Sequence, residues 1–409
     1  RGPQAEVDGS VFPSPEKRRT GCFPDGVCPD ADAGHQNPQD AGRRHAGRTG
    51  GEQPAAGRGP RAGARTGEVR ASDDPLPPTA TPRPRAIVVE PDRFSPEAIA
   101  VLDEVADVEL RPVAPADLPA AFAEHDVVWM RLAHRIGADE LGREPRCRVL
   151  ATPVTGLDHI DLDLCAAHGI EVVSLRGEVE FLRTVRATAE HTLALLLGLL
   201  RRLPAATRAT AAGEWDRDRF PGHEIQGATV GVVGVGRLGT IVAGYLRALG
   251  AHVLGCDPRA DFPHDAVDER TDLDDLLARS DVVTLHVSYS DATRHLIGAT
   301  ELARMRPHAV LVNTSRGGLV DEAALLHALA TDALGGAALD VLDGEPAITP
   351  DHPVLRAAAT DDRLLVTPHL GGNTAESFRR TEVFLAHRVV DALRRAAPVP
   401  SAPGPGPRP

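Results

Sequence analysis

The stretch that most constrains this chain is Thr229-Val-Gly-Val-Val-Gly-Val-Gly-Arg-Leu-Gly239. It reads as a strand, a tight glycine turn and the start of a helix, Arg237–Leu249. Gly234, Gly236 and Gly239 form G-x-G-x-x-G. The first suits the sharp turn, the second lets a pyrophosphate approach bare backbone, and the third lets the helix pack closely on the strand. Backbone N–H groups and the positive end of the helix dipole would hold the phosphates. A glycine-rich turn alone is common. Here a second strand, His252-Val-Leu-Gly-Cys256, follows and ends in Asp257. That is the position where an acidic side chain meets a ribose 2′-OH. Strand, turn, helix and acid together imply a dinucleotide site.

Around this unit the chain alternates strand and helix. Ala86–Glu90, Asp126–Met130, Arg148–Thr152 and Ile170–Ser174 read as strands. Ala98–Ala106, Ala138–Gly142 and Leu162–His168 read as helices between them. After a long apolar helix, Thr188–Arg202, and the glycine loop, further strands are expected at Asp281–His286, Ala309–Asn313, Gly336–Asp340 and Arg363–Thr367. The helices among these are Leu273–Ala278, Thr300–Met305 and Asp321–Ala330, and Ala375–Arg394 closes the pattern. Such alternation predicts an α/β fold with parallel sheets covered by helices. Two domains are expected: 85–187 with the returning segment 375–395, and 188–374 carrying the glycine loop. Residues 1–84, dense in Gly and Pro and without apolar periodicity, read as disordered and dispensable to the chemistry, and no methionine precedes Met130. The Pro- and Gly-rich tail 396–409 reads the same way.

Composition excludes several classes. The net charge of −13 over 409 residues argues against a nucleic-acid partner. No apolar run reaches the roughly 18 residues of a membrane span, so no membrane partner is expected. The five cysteines, Cys22, Cys28, Cys147, Cys165 and Cys256, form neither a disulfide framework nor a metal-ligand spacing. A reducing cytoplasm and no metal are therefore expected.

Three polar signatures fall at or just after strand C-termini, where open parallel sheets place their sites. They are Asn313-Thr-Ser-Arg-Gly-Gly318, Asp340-Val-Leu-Asp-Gly-Glu-Pro346 and Thr367-Pro-His-Leu-Gly-Gly372. Each sets one chemically capable side chain in a shaped turn: Arg316, Glu345 and His369. Together with Ala187-Thr-Ala-Glu-His-Thr-Leu-Ala-Leu195 and the glycine loop, they resemble the NAD-dependent D-isomer-specific 2-hydroxyacid dehydrogenases. The resemblance runs from about Arg85 to Arg394. It implies a Rossmann NAD-binding domain inserted in a flavodoxin-like substrate domain, NAD as cofactor and a homodimer.

The resemblance also implies roles. His369 would be the acid/base, Glu345 would favour its imidazolium, and Arg316 would hold the substrate carboxylate. Arg237 and Leu238 would meet the pyrophosphate with the glycines, and Asp257 the ribose, with Arg259 the one neighbour that favours NADP. His286 would lie beside the adenosine, although the family's His-x-Pro turn reads His286-Val-Ser288 here. Thr314 would lie near the nicotinamide ribose, and Asp340 would partner the nicotinamide amide. Ala151-Thr-Pro-Val-Thr-Gly-Leu-Asp158 resembles the loop that receives the substrate carboxylate, centred on Thr155 and Gly156. Related phosphoglycerate enzymes often carry an Arg at the place of Thr152. Arg131, after its strand, is the candidate to compensate. The other reading is an NAD(H)-sensing corepressor-like interaction protein of the same fold. A Gln-bearing formate dehydrogenase is disfavoured by Glu345.

Overall fold

The computed structural model describes residues 83–396. The expected disorder of 1–84 and of 396–409 therefore falls almost wholly outside the described residues. Two all-parallel sheets organise the chain. The first contains β1 (Arg85–Val88), β2 (Asp107–Leu110), β3 (Val127–Trp129), β4 (Val149–Thr152) and β5 (Glu171–Ser174) in the order 2-1-3-4-5. That is the flavodoxin-like order. The second contains β6 (Thr229–Val233), β7 (His252–Cys256), β8 (Glu269–Arg270), β9 (Val282–Leu285), β10 (Val310–Asn313), β11 (Gly336–Leu339) and β12 (Leu364–Val366). Its order, 12-11-10-9-6-7-8, is the Rossmann arrangement extended by one strand.

The strands read as continuous apolar runs because helices cover both faces. All four residues of β4, β9, β10 and β11 are buried. On the first sheet the helices are α1 (Pro96–Leu102), α2 (Leu118–Glu124), α3 (Ala138–Leu141), α4 (Leu162–Ala167) and α5 (Val179–Leu182). Next come α6 (Ala187–Leu200), α7 (Leu203–Ala211) and α8 (Arg237–Ala248). The later helices are α9 (Leu273–Arg279), α10 (Ala299–Arg304), α11 (Glu322–Ala330), α12 (Pro353–Ala358) and α13 (Ala375–Ala396). The apolar α6 lies on the second sheet, where Leu195, Leu196 and Leu199 join Val230, Val232 and Val312. It stops short of the expected Arg202. Arg202 is left-handed at φ 52°, and Pro204 in the first turn of α7 starts a new helix rather than extending the old one.

The closing helix α13 returns to the first sheet, where Leu385, Val389 and Leu393 pack with Val127, Trp129 and Val149. Its Glu382, 0% exposed, pairs with Arg131 at 2.6 Å and also accepts from the Ser95 backbone N–H at 2.8 Å. Phe378 stacks under the same guanidinium at 4.5 Å. Arg131 is thus committed to holding α13 against the end of β3, and the substrate role considered for it is not met. The physical reason is the buried carboxylate, which must keep its partner. We expect Arg131→Ala to cost about 3 kcal/mol of stability by stranding Glu382. In urea unfolding, the pair Arg131→Met with Glu382→Leu should recover most of that loss. An Arg131→Ala midpoint equal to wild type would contradict this role.

Candidate active site

The glycine loop forms as its spacing requires. Gly234 has φ 86°, and a Cβ there would come within 2.6 Å of the His286 carbonyl oxygen. A Cβ on Gly239 would overlap the Gly234 carbonyl, whereas one on Gly236 would meet nothing within 4 Å. Turn, packing and open backbone are therefore divided among the three glycines as a pyrophosphate cradle needs. α8 begins at Arg237, with Leu238 in its first turn, so the backbone N–H groups of both belong to the helix start. The Arg237 side chain reaches back to the Leu182 carbonyl at 3.1 Å. We expect Gly239→Ala to weaken NADH binding at least tenfold, because the clash falls on loop backbone that cannot yield. Fluorescence titration measures it, and an unchanged affinity would show that the loop tolerates the Cβ.

Asp257 sits at the end of β7 with one oxygen accepting from the Val235 N–H at 2.9 Å. The other accepts from Arg259, at 3.0 Å from its backbone N and 3.1 Å from Nε. Arg259 also donates to the Val235 carbonyl at 2.7 Å. The arginine is therefore engaged with Asp257 and the loop. His286 lies behind Gly234, its ring bonded to the Thr284 hydroxyl at 3.0 Å, and burial pushes its imidazole down to about 3. The Thr314 hydroxyl bonds that of Thr192 on α6 at 2.9 Å.

Asp340, 1% exposed, is the hub of the turn after β12. Its carboxylate accepts from the Leu370 and Gly371 N–H groups at 2.7 and 2.8 Å, from the Thr367 hydroxyl at 2.6 Å and from His191 Nε2 at 3.0 Å. Burial pushes this carboxyl up. The hydrogen bonds outweigh it and hold the group below the ordinary carboxylate value. The turn so fixed carries His369 at φ 55°, a left-handed conformation costly for a non-glycine residue. Its N–H donates to the Asp340 carbonyl at 2.7 Å.

Glu345 Oε1 lies 3.0 Å from His369 Nδ1, both side chains about a quarter exposed (26% and 25%). Among the described residues no protein group engages Nε2. The pair fixes the ring's tautomer and leaves one nitrogen free for proton transfer. Arg316 follows β10. Its Nε donates to Asp158 at 2.9 Å and Nη1 to the Ser315 carbonyl at 2.8 Å. Nη2 lies over Gly156, where any Cβ would overlap it. Burial pushes the Asp158 carboxyl up, and the Arg316 guanidinium more than offsets this, holding it below the usual range.

A cavity of about 420 Å³ collects Arg316, Glu345 and His369 with Asp340, Asp158, His159, Arg135 and an apolar wall. Gly156 borders Arg316, and Thr155 beside it is exposed. Sequence reasoning assigned no role to Asp158, His159, Arg135 or His191. Asp158 and His191 stand inside quoted motifs. Their partners lie far along the chain, so only the fold pairs them.

His159 lines the cavity, is 8% exposed, and its Nε2 has no hydrogen-bond partner. Burial pushes its imidazole down to about 4, with Arg316 adding to the drop and Asp158 opposing it. The folded value lies below the unfolded value of about 6.5, so the unfolded chain takes up the proton first as pH falls. This contribution is complete above about pH 6.5 and is lost on acidification toward 4, by about 3 kcal/mol. Urea midpoints at pH 7 and pH 4.5 should show the loss, and His159→Asn should reduce it. An equal loss in the variant would contradict it.

Residues 193–371 match the sequence profile of the D-isomer specific 2-hydroxyacid dehydrogenase NAD-binding domain. A glyoxylate reductase from Aeropyrum pernix is 34% identical over 321 residues, which cover 75% of this chain and 92% of the relative. The chain belongs to the D-isomer specific 2-hydroxyacid dehydrogenase family. A D-3-phosphoglycerate dehydrogenase from Mycobacterium bovis is 38% identical over 313 residues, 75% of this chain but 57% of the relative. The chain thus spans little more than half the length of that family member. Among solved structures, D-lactate dehydrogenase from Aquifex aeolicus, complexed with NAD and lactic acid, superposes with a TM-score of 0.65 at 27% identity. That match covers 76% of this chain and 95% of the other.

Proposed function

We propose that this chain is an NAD-dependent oxidoreductase that interconverts a small D-2-hydroxy acid and its 2-oxo acid. The observation that carries the reading is the convergence of Arg316 and the Glu345–His369 pair on one cavity of the glycine-loop fold. NAD(H) would be held by Gly234, Gly236, Gly239 and the N–H groups of Arg237 and Leu238. Asp257, Thr314, His286 and Asp340 would border it. When bound it supplies or takes the hydride. Arg316 Nη2 and the loop at Thr155 and Gly156 would hold the substrate carboxylate. His369 Nε2 would give its proton to the alkoxide oxygen on reduction and recover it on oxidation, with Glu345 stabilising the imidazolium. Asp340 acts at one remove by fixing the turn that carries His369.

In this reading residues 85–187 and 375–395 form the substrate-binding domain and 188–374 the cofactor domain. The protein works as a cytoplasmic homodimer. Trp215, 92% exposed, and Leu203, 54% exposed, offer apolar surface consistent with a second copy. Among the described residues no helix is long and apolar enough to cross a membrane. The test is NADH oxidation with a panel of 2-oxo acids. Turnover of at least one supports the reading. Tight NADH binding with no turnover would overturn it in favour of the NAD(H)-sensing alternative.

A further inference from the structure

The cavity that holds the reacting groups has a second character that the chemistry of reduction does not require. Leu132, Leu342, Ile348, Leu355 and Val366 line it. Leu132, Ile348, Leu355 and Val366 are only partly buried, so apolar surface stands bare around the reacting groups. Leu132 comes from the segment after β3 and the others from the second sheet's side, so the wall is built from both halves of the fold. Bare apolar concavity of this kind gains free energy when an apolar ligand displaces its water. A two-carbon acid would leave most of it uncovered.

The charges point the same way. Besides Arg316 the cavity has one arginine, Arg135, and its guanidinium donates to the Glu345 carbonyl at 3.2 Å. Three carboxylates, Asp158, Asp340 and Glu345, share the lining. Arg131, the cation expected to receive a phosphate, is committed to Glu382. The substrate already brings one carboxylate to Arg316. A second anionic group would find Arg135 as its one other cation and would face three carboxylates close by.

Resting on the oxidoreductase reading, we infer that the substrate is a 2-oxo acid with an uncharged, apolar side chain of about three to five carbons. The apolar wall receives that side chain and sets the preference against phosphorylated and two-carbon acids. The preference sets this chain apart in substrate from its phosphoglycerate dehydrogenase relatives, despite the sequence identity.

The experiment compares kcat/KM at saturating NADH for 4-methyl-2-oxopentanoate, glyoxylate and phosphohydroxypyruvate. The first should exceed each of the others at least tenfold, since each buried methylene contributes up to roughly that factor or more. Ile348→Ser and Leu355→Ser should each cut that preference about tenfold, with KM for NADH little changed. Equal or better use of phosphohydroxypyruvate or glyoxylate overturns the inference and leaves the oxidoreductase reading standing. A variant that weakens NADH without changing the ranking assigns the wall to the cofactor and also overturns it. No turnover of any 2-oxo acid, with NADH still bound, removes the oxidoreductase reading and this inference with it. The wild-type ranking decides the matter if a variant does not fold.

Discussion

Replacing His369 should lower kcat for 2-oxo acid reduction about 10³-fold while NADH still binds, within the range expected for loss of a positioned general acid. The ring has a carboxylate on one nitrogen, Glu345 at 3.0 Å, and among the described residues no protein partner on the other. The choice of substitution matters because the backbone there is left-handed, at φ 55°. Alanine in that conformation costs about 1 kcal/mol, whereas asparagine tolerates it. His369→Asn is therefore the cleaner variant, and His369→Ala should show the same rate loss with a lower melting temperature. Turnover by His369→Asn near the wild-type rate would remove the assigned role. Glu345→Gln should have a smaller effect than either, because it leaves the proton donor in place and weakens only its charge partner.

Arg316→Ala should cost about 10³-fold in kcat/KM, and Gly156→Ala about 10²-fold although it removes no charged group. The reason is steric. Arg316 Nη2 occupies the space over Gly156, and a Cβ there would overlap it. Nε is held by Asp158 and Nη1 by the Ser315 carbonyl. The guanidinium therefore cannot slide aside without breaking one of those bonds. A shift of about 1 Å in a group that orients substrate is enough for roughly 10²-fold losses. Steady-state kinetics on both variants, with NADH titration as the folding control, makes the comparison. Wild-type kcat/KM in Gly156→Ala would show that Arg316 is free to relocate, against the geometry described.

Much of this site could be read along the chain because its parts sit where local rules are strong. The glycine loop, the strand before it and Asp257 obey spacings set by turn geometry and by the length of one βαβ unit. Arg316, Glu345 and His369 each follow a strand end within a few residues. Other parts could not be read. β2 is an edge strand, Asp-Val-Glu-Leu, exposed at both ends, and its polar–apolar alternation runs for only four residues, too few to stand out from the chain around it. α2 is short and carries Pro119 in its first turn, and its buried Leu118, Ala121 and Phe122 make less than two turns of pattern. α7 has no counterpart among the expected elements, because Leu203–Ala211 is mostly Ala and Thr and gives no large apolar residues at a helical period. The partners of Arg131 and His191 are 251 and 149 residues away, so no local pattern reveals them. Asp340 shows both cases. Its place at a strand end was legible, but its role in holding the His369 turn depended on contacts from Leu370, Gly371 and α6.

In the proposed function Arg316, the loop at Gly156 and His369 would hold a 2-oxo acid at three points. One face of the carbonyl is then offered to the hydride. Chiral analysis of the 2-hydroxy acid formed with NADH tests this most directly. The D enantiomer alone is expected. A racemic product, or the L enantiomer, would contradict it.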